Sequence, residues 1–289
     1  MFEVQTIENT WSTDLPDGIT WYFIGQPKTG KTTQAANWSP LGYEGVLLLD
    51  TDLGADFVDK ANVVTISSLN PPTRYQMKDG IKVVKKGNPV VEIIPPEERG
   101  FHYRNGKNRG KPMPAYSLAE IVTDLMNNWK DLPYDTIAID TVDMVNSWIE
   151  EIVCKELEIS EMGQGEWGAD WGKARKKNTD IIVRLQRFLK KVGGNLVLVS
   201  HSKQTAVTDG KAQLSPNLPR GLANALTARA DVVGYTTCNK TDGAYEVSFE
   251  SYDERMVGSR LKPLAQKQLP FDYQAIIKEI TNYKEKETK

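Results

Sequence analysis

The sequence predicts an α/β fold with a mostly parallel central sheet, and two patterns support this prediction. Short apolar runs alternate along the chain with helical patterns, which is typical of parallel sheets, and they cover residues 20–24, 46–49, 136–139 and 196–199. Apolar residues at helical spacing predict an amphipathic helix packed on this sheet, namely Ile181, Leu185, Phe188 and Val192. Ligands of such sheets bind beyond the carboxyl ends of the strands, so the residues that follow the runs are the site candidates.

The first run is followed directly by a phosphate-binding pattern, G-x-x-x-x-G-K-[ST]. Backbone N–H groups of such a loop turn inward onto phosphates, while Lys31 is expected to reach the β and γ oxygens and Thr32 to hold Mg²⁺. The predicted ATP-binding residues are Gly25, Gln26, Pro27, Lys28, Thr29, Gly30, Lys31, Thr32 and Thr33. A helix is expected over residues 32–38.

Acidic residues at the ends of two other runs extend this prediction. Asp140 ends the run 136–139 and is predicted to be the second Mg²⁺ ligand, as in the Walker B arrangement. For the group that orients the attacking water we choose Asp52, although Asp50 and Asp143 are alternatives and Asp52 could instead cap the turn before Gly54.

His201 follows the fourth run and is the candidate for a γ-phosphate sensor. A single histidine is more often a structural hydrogen-bonding residue, and that alternative stays open. His102 receives no such role.

Length and composition permit one large α/β domain or two small ones, and we interpret residues 1–289 as a single domain. The net charge of −2 argues against a uniformly basic nucleic-acid binder, and no stretch approaches 18 apolar residues, so we expect no membrane partner. The two distant cysteines, without a C-x-x-C pair, favour a reduced, cytoplasmic setting.

A basic insertion is predicted at residues 71–116, where ten cationic and four acidic residues give a net charge of +6. Two valine-rich runs around residues 85–89 predict a hairpin in it. The insertion is either a solvated excursion or a nucleic-acid contact. Residues 278–289 are expected to form a fraying helical tail.

The tetrapeptide Asn239-Lys240-Thr241-Asp242 matches the N-K-x-D motif with which GTPases read guanine. Asp242-Gly243 is however a strong hairpin-turn signal, and the D-x-x-G element that a GTPase needs does not follow Asp140. We therefore interpret this segment as a turn.

The order of these motifs resembles the RecA core over residues 21–270, apart from the insertion. It is also similar to phage-encoded, AAA-type P-loop ATPases described as core-only RecA-like single-strand annealing proteins. The resemblance rests on the phosphate loop, on Leu49-Asp50-Thr51-Asp52, on Asp140, on Val199-Ser200-His201 and on the segment 221–226 before a hairpin. It implies a RecA-like core whose C-terminal strands are antiparallel.

The resemblance also implies roles for residues that spacing alone does not assign. Asp52 takes the place of the water-orienting glutamate, and His201 the place of the usual sensor glutamine. Arg260 and Lys262 correspond to cations presented to ATP on the neighbouring protomer. Two loops correspond to DNA-facing segments, with the candidate contacts Trp167, Trp171, Lys173, Lys203, Lys211 and Arg220.

The sequence thus predicts a Mg²⁺-dependent ATPase that assembles on single-stranded DNA as a ring or filament and promotes annealing or recombination. A single-stranded DNA-binding protein is a further expected partner, and a phage-encoded protein of this kind acts in the cytoplasm of a bacterial host. The alternatives are a helicase loader, a small-molecule kinase, or a nucleotide-binding scaffold without turnover.

Overall fold

The computed structural model describes residues 15, 17–206, 212–251 and 255–287. Among these residues lie seventeen strands: β1 Thr20–Gly25, β2 Val46–Asp50, β3 Asn62–Ser68, β4 Thr73–Tyr75, β5 Met77–Lys78, β6 Ile81–Lys82, β7 Val84–Lys85, β8 Asn88–Pro89, β9 Val91–Ile93, β10 Ala115–Ser117, β11 Thr136–Asp140, β12 Asn195–Ala206, β13 Ala212–Pro216, β14 Val232–Cys238, β15 Tyr245–Ser248, β16 Gly258–Ser259 and β17 Gln268–Pro270. The described helices are α1 Lys31–Ala35, α2 Leu118–Asn128, α3 Val142–Leu157, α4 Ala169–Val192, α5 Arg220–Arg229 and α6 Tyr273–Glu287.

The main sheet has the order β10-β3-β2-β11-β12-β1-β14-β15-β17. The strands from β10 to β14 are parallel, whereas β15, β16 and β17 join antiparallel at one side. The predicted α/β fold with a mostly parallel sheet is therefore confirmed. Strand β1 lies in the middle, between β12 and β14, so the residue that follows it emerges at the centre of the carboxyl edge.

Helices cover both faces of the sheet. α2, α3, α4 and α5 pack on one face and α1 and α6 on the other, each over its own apolar cluster. The predicted amphipathic helix is α4, and Leu185 is buried while Ile181 and Phe188 pack against the core, as expected. Its core face also includes Ile182 and Leu189, whereas Val192 is exposed. Helix α4 contacts two neighbouring helices, α3 and α5, as well as the sheet. These contacts decide which of its residues are buried, and one apolar stripe in the sequence does not show them.

The C-terminal helix α6 is packed on the sheet further than the sequence indicated. Ile276 and Ile280 are buried in the cluster formed with Trp38 and Phe271. Packing therefore extends into the segment 278–289 that was expected to fray.

The insertion is shorter than predicted, because Ala115 and Tyr116 belong to β10 and pair with β3 in the main sheet. Its strands form the antiparallel pairs β4-β9, β5-β6 and β7-β8, which we call the basic arm (residues 73–93). The turn between β7 and β8 lies at Lys86-Gly87, and the N–H of Val90 donates to the carbonyl of Val83 at 2.8 Å.

A buried arginine ties the insertion to the core. The guanidinium of Arg99 donates to both carboxylate oxygens of Glu120, at 2.8 and 2.9 Å, and to the carbonyl of Ala115. Its side chain is only 2% exposed. Glu120 also completes the capping box of α2 with Ser117, so one ion pair holds the end of the insertion and the start of a core helix.

We expect Arg99→Met to lower the free energy of unfolding by about 3 kcal/mol, because it leaves the Glu120 carboxylate without its cation. Hydrogen bonds from Arg99 lower the pKa of Glu120 to about 2. A lowered carboxyl pKa stabilises the fold above about pH 4.5, and this contribution is lost as pH falls towards 2. Urea unfolding at pH 7 and pH 3 measures both effects. Arg74→Ala is the control, since the pair of Arg74 with Glu92 is exposed; an equal loss in both variants would contradict the prediction.

Candidate functional site

The phosphate loop leaves the centre of the sheet at Gly25 and enters α1 at Lys31. Two of its glycines are required by their surroundings. A methyl group on Gly25 would lie 2.1 Å from Oγ1 of Thr236, and Gly30 has φ +77° with the ring of Tyr245 beside it. The regular helix ends at Ala35, earlier than the predicted residue 38. Loop and strand thus have the arrangement that the motif requires.

Lys31 points into this loop. Its Nζ donates to the carbonyls of Gln26, at 2.6 Å, and of Gly25, at 3.1 Å. Burial lowers the pKa of Lys31, while the charges of Asp140, Asp143 and Asp52 act in the opposite direction. The ammonium group therefore lies within electrostatic range of three carboxylates that end or follow neighbouring strands.

Asp140 is the most strongly perturbed carboxyl group of the site. Burial raises its pKa to about 7; Asp52 and Asp50 act in the same direction, whereas the side-chain hydrogen bond with Thr32 lowers the pKa. Its Oδ2 is buried and has no hydrogen-bond partner among the described residues. A buried carboxylate oxygen without a partner, beside a threonine hydroxyl, fits a magnesium ion that completes its coordination with phosphate oxygens and water.

Among the described residues no cluster of three or more His, Cys, Asp or Glu side chains could hold a metal ion. A magnesium site of the phosphate-loop type does not need one, since the protein supplies one carboxylate and one hydroxyl and the substrate supplies phosphate oxygens. The predicted ligands Thr32 and Asp140 are consistent with such a site.

The two aspartates after β2 have different surroundings. Asp50 is buried and accepts the N–H groups of Gly54 and Ala55, at 3.2 and 3.1 Å, so it holds the loop that follows. Burial raises its pKa, and these bonds act against the rise. Asp52 is exposed and accepts the N–H of Gly54 at 3.0 Å. It therefore caps the turn, as the alternative proposed, while its charge still acts on Asp140 and Lys31; its water-orienting role stays a prediction.

His201 lies next to the phosphate loop, because β12 pairs with β1 so that His201 is opposite Gly25. Its backbone N–H donates to Oδ2 of Asp143 at 2.8 Å, and its Nδ1 lies 3.4 Å from the same oxygen. The hydrogen bond with Asp143 raises the pKa of His201. His201 thus lies beside the phosphate loop and is held by Asp143, and its role as a γ-phosphate sensor stays a prediction.

Sequence reasoning missed Thr236 and gave Asp143 a different role. Oγ1 of Thr236 lies 2.8 Å from Oγ1 of Thr29 and so supports the phosphate loop from β14. Asp143 was considered only as an alternative group for orienting water, whereas it holds His201. The position of Asp143 at the start of α3 was the only available signal, and for Thr236 there was none.

Arg260 and Lys262 lie away from the phosphate loop of their own chain. Arg260 pairs with Asp231 at 2.9 Å, and the other carboxylate oxygen of Asp231 accepts the N–H of Thr20, the first residue of β1. Arg260 therefore lies at the amino edge of the sheet. At the usual rise per residue along β1, that edge is about 17 Å from the carboxyl edge. Lys262 lies 5.8 Å from the ring of Tyr283. Any action on ATP would have to occur on another protomer.

Of the predicted DNA contacts, Trp171 and Arg220 come together. They line a cleft between α4 and α5 that we call the cationic groove, with Arg175, Lys176 and Arg229. Lys173 instead pairs with Glu156 on α3 at 2.8 Å. Lys203 lies on the part of β12 that pairs with β13, and Lys211 lies outside the described residues. Trp167 is fully exposed in the preceding loop.

The Asn239–Asp242 segment is a turn between β14 and β15. Oδ1 of Asn239 accepts the N–H of Thr241, and Oδ1 of Asp242 accepts the N–H of Ala244, both at 2.9 Å. The polar side chains that would read guanine are thus used to close the hairpin, in agreement with the interpretation from sequence.

A family model described as an AAA domain matches residues 17–263, which is most of the chain. The match includes the phosphate loop, Asp140 and His201. The search of the curated proteins returned no match. Within the described residues, no helix has the length and apolar character that crossing a membrane requires.

Proposed function

The chain belongs to the AAA domain family of nucleotide-binding ATPases, and on that premise we propose that it is a Mg²⁺-dependent ATPase that binds single-stranded DNA and promotes annealing or recombination. The observation that carries the ATPase part is the meeting of Lys31, Thr32 and the partnerless Oδ2 of Asp140 at the carboxyl edge. Those groups are the ones that phosphoryl transfer from ATP requires.

Each residue of the site has a distinct proposed role. Thr32 and Asp140 hold Mg²⁺, which when bound neutralises charge on the phosphates. Lys31 stabilises the transferring phosphoryl group, Asp52 orients the attacking water, and His201, held by Asp143, senses the γ-phosphate. Arg260 and Lys262 act on ATP bound by a neighbouring protomer, so hydrolysis takes place at subunit interfaces of a ring or filament.

The cationic groove is the proposed site for single-stranded DNA. Arg175, Arg220 and Arg229 are exposed there and, within the described part of the chain, none of them has a carboxylate partner. Trp171 at the mouth of the groove offers a stacking face for a base. Guanidinium groups beside an exposed aromatic ring are the combination that binds single strands without sequence preference.

The groove opens toward the edge of the sheet that carries the phosphate loop. Gly221 at the start of α5 lies beside Arg175, and the end of α5 at Arg229 lies beside Gln186 and the start of β1. Helix α5 therefore runs from the carboxyl edge to the amino edge. The segment before it is tied to His201, because the N–H of Asn217 donates to the carbonyl of His201 at 2.8 Å. ATP binding at His201 can thus change the groove through this hydrogen bond.

We expect ATP with Mg²⁺ to change the affinity for a labelled single-stranded oligonucleotide, measured by fluorescence anisotropy. Arg175→Ala and Arg220→Ala should each weaken binding, and each should reduce the slope of log affinity against log salt by about 0.7 per lost phosphate contact. Arg184→Ala is the matched control, because it lies nine residues from Arg175, on the opposite side of α4.

Three outcomes would contradict the proposal. Affinity for single-stranded DNA that is the same with and without ATP would exclude the coupling. Equal effects of Arg184→Ala and Arg175→Ala would exclude the groove. Transfer of the γ-phosphate to a small molecule, or binding to a replicative helicase without DNA affinity, would favour the kinase or the helicase loader instead.

A further inference from the structure

Trp167 is the most exposed large side chain of the described residues, and it is held in a defined position. The loop that carries it, residues 158–168, is closed by Asp170, whose buried carboxylate accepts the N–H groups of Gly163, Gly165 and Trp171. The side chain of Trp167 is fully exposed, so it buries no surface on its own chain. A rigidly held, exposed tryptophan is typical of the central anchor of a protein interface.

The loop that carries Trp167 is acidic, although Gly168 beside it lines the cationic groove. Glu158, Glu161 and Glu166 are exposed in the same loop, and within the described chain none of them has an ion pair. The nearest lysine in sequence after the loop, Lys173, is neutralised by Glu156. Negative charge around an aromatic side chain disfavours a nucleic-acid phosphate as its neighbour and favours a basic protein surface.

Another part of the chain's surface has an apolar cleft that could receive an apolar side chain such as that of Trp167. This apolar cleft, of about 860 Å³, lies beside α2 at the β3 and β10 side of the sheet. Its apolar lining includes Leu47, Val64, Tyr116, Ile121, Leu132 and Tyr134. Two carboxylates also line it, the exposed Asp124 and Glu120, which is paired with Arg99. Its volume is sufficient for an indole ring, and exposed apolar clefts of this size mark interaction sites.

A basic surface adjoins the apolar cleft. Pro71, which lines the cleft, immediately precedes the basic arm, where Lys78, Lys82, Lys85 and Lys86 are exposed and, as far as the structure describes the chain, lack carboxylate partners. The arginines Arg74, Arg99 and Arg104 are in ion pairs, whereas Lys107, Arg109 and Lys111 are exposed and lack a carboxylate partner among the described residues. The basic arm thus carries four of the uncompensated cations of the insertion, on the segment that follows the cleft residue Pro71 in sequence.

We propose that Trp167 of one subunit inserts into the apolar cleft of a second copy, with Glu158, Glu161 and Glu166 facing the lysines of that copy's basic arm. This contact rests on the assembly in the proposed function and specifies its geometry. Trp167 lies just before α4, the helix that packs on β12, whereas the cleft lies on the side of the sheet that carries β3. A protrusion and a pocket on different parts of one chain make a head-to-tail contact, which generates rings or filaments rather than closed dimers.

Two variants separate the halves of the contact. Trp167→Ala removes the anchor and keeps the cleft. Thr123→Glu keeps the anchor and blocks the cleft, because Thr123 is an exposed cleft residue and a glutamate there would carry a charge into an apolar site and face the acidic loop. Both positions are exposed, so we expect neither variant to lower the melting temperature.

The experiment is mass photometry and sedimentation velocity of the full chain with ATP and without DNA. We expect wild-type protein to form higher oligomers, each variant alone to associate at least about 30-fold more weakly, and an equimolar mixture to form a one-to-one dimer and nothing larger, since only one intact contact remains. Higher salt should weaken the wild-type association.

Trp171→Ala is the matched control: the same residue type, four positions away, in the cationic groove. It should lower affinity for single-stranded DNA and leave assembly in the absence of DNA unchanged, whereas Trp167→Ala should weaken that assembly. Wild-type-like assembly of Trp167→Ala, or a mixture that stays monomeric, would overturn this contact while leaving the proposed ATPase and DNA binding in place. A wild type that stays monomeric with ATP and without DNA would overturn the contact as well, and one that also stays monomeric when DNA is added would overturn the proposed assembly.

Discussion

Replacement of Lys31 by alanine is expected to lower the rate of ATP hydrolysis at least about 100-fold, because it removes the only cation of the phosphate loop whose Nζ points into it. The same change should not destabilise the fold. Burial lowers the pKa of Lys31, so the ammonium group is held in an environment that disfavours its charge. Steady-state phosphate release and thermal unfolding of the ligand-free protein measure the two effects.

The comparison variant is Lys130→Ala, since Lys130 is exposed and has no ion pair within the described chain. It should match the wild type in both assays. A Lys31→Ala protein that hydrolyses ATP at close to the wild-type rate would remove the proposed catalytic role. A large fall in its melting temperature would show instead that the hydrogen bonds of Lys31 to the loop carbonyls are structural.

Asp140→Asn is expected to abolish Mg²⁺-dependent hydrolysis and to stabilise the ligand-free protein above neutral pH. The direction of this stability change follows from the pKa of Asp140, which burial raises from 3.8 to about 7. Below about pH 4 the carboxyl is protonated in both the folded and the unfolded state, and it costs nothing. As pH rises towards 7 only the unfolded state gains by ionisation, so the free energy of unfolding falls by about 4 kcal/mol in total. The amide does not ionise and avoids this loss.

Chemical denaturation of both proteins between pH 4 and pH 8.5 measures this difference, which should be near zero at the acid end and largest above pH 7. Asp170→Asn provides a contrast of opposite sign. Burial acts to raise the pKa of the Asp170 carboxyl group. Hydrogen bonds from the N–H groups of Gly163, Trp171 and Gly165 nevertheless hold that pKa below its ordinary value. Asp170→Asn should therefore destabilise at neutral pH, and less so in acid. If the stability of Asp140→Asn follows that of the wild type at every pH, the prediction that burial raises the pKa of Asp140 is wrong.

Local sequence patterns predicted the parts of the site that local residues build. The phosphate loop is nine consecutive residues whose conformation is fixed by Gly25 and Gly30, so its spacing is sufficient to recognise it. Strand positions followed from apolar runs, since a buried parallel strand requires them whatever its neighbours are. The turn at Asn239–Asp242 followed from its own side chains, which close it.

Features that depend on pairing between distant segments were predicted less well. The insertion boundary was wrong by two residues, because Ala115 and Tyr116 are strand residues only through their pairing with β3. Val192 was expected on the core face of α4 but is exposed, whereas Ile182 and Leu189, which the pattern left out, are buried; Leu185 is buried and Ile181 and Phe188 pack against the core as predicted. Among ten cations of the insertion, sequence could not indicate that Arg99 would be buried against Glu120.

The sequence by itself determined that this chain has a phosphate-loop pattern at residues 25–33 and an α/β core, because both follow from short-range patterns. The tertiary structure decided which carboxylate has no partner, which histidine faces the loop, and which cations remain unpaired. Those properties depend on the strand order β2-β11-β12-β1-β14, which sets Asp140, His201 and Thr236 side by side although about a hundred residues separate the first from the last. Burial and charge then fix their chemistry, and neither can be read from spacing along the chain.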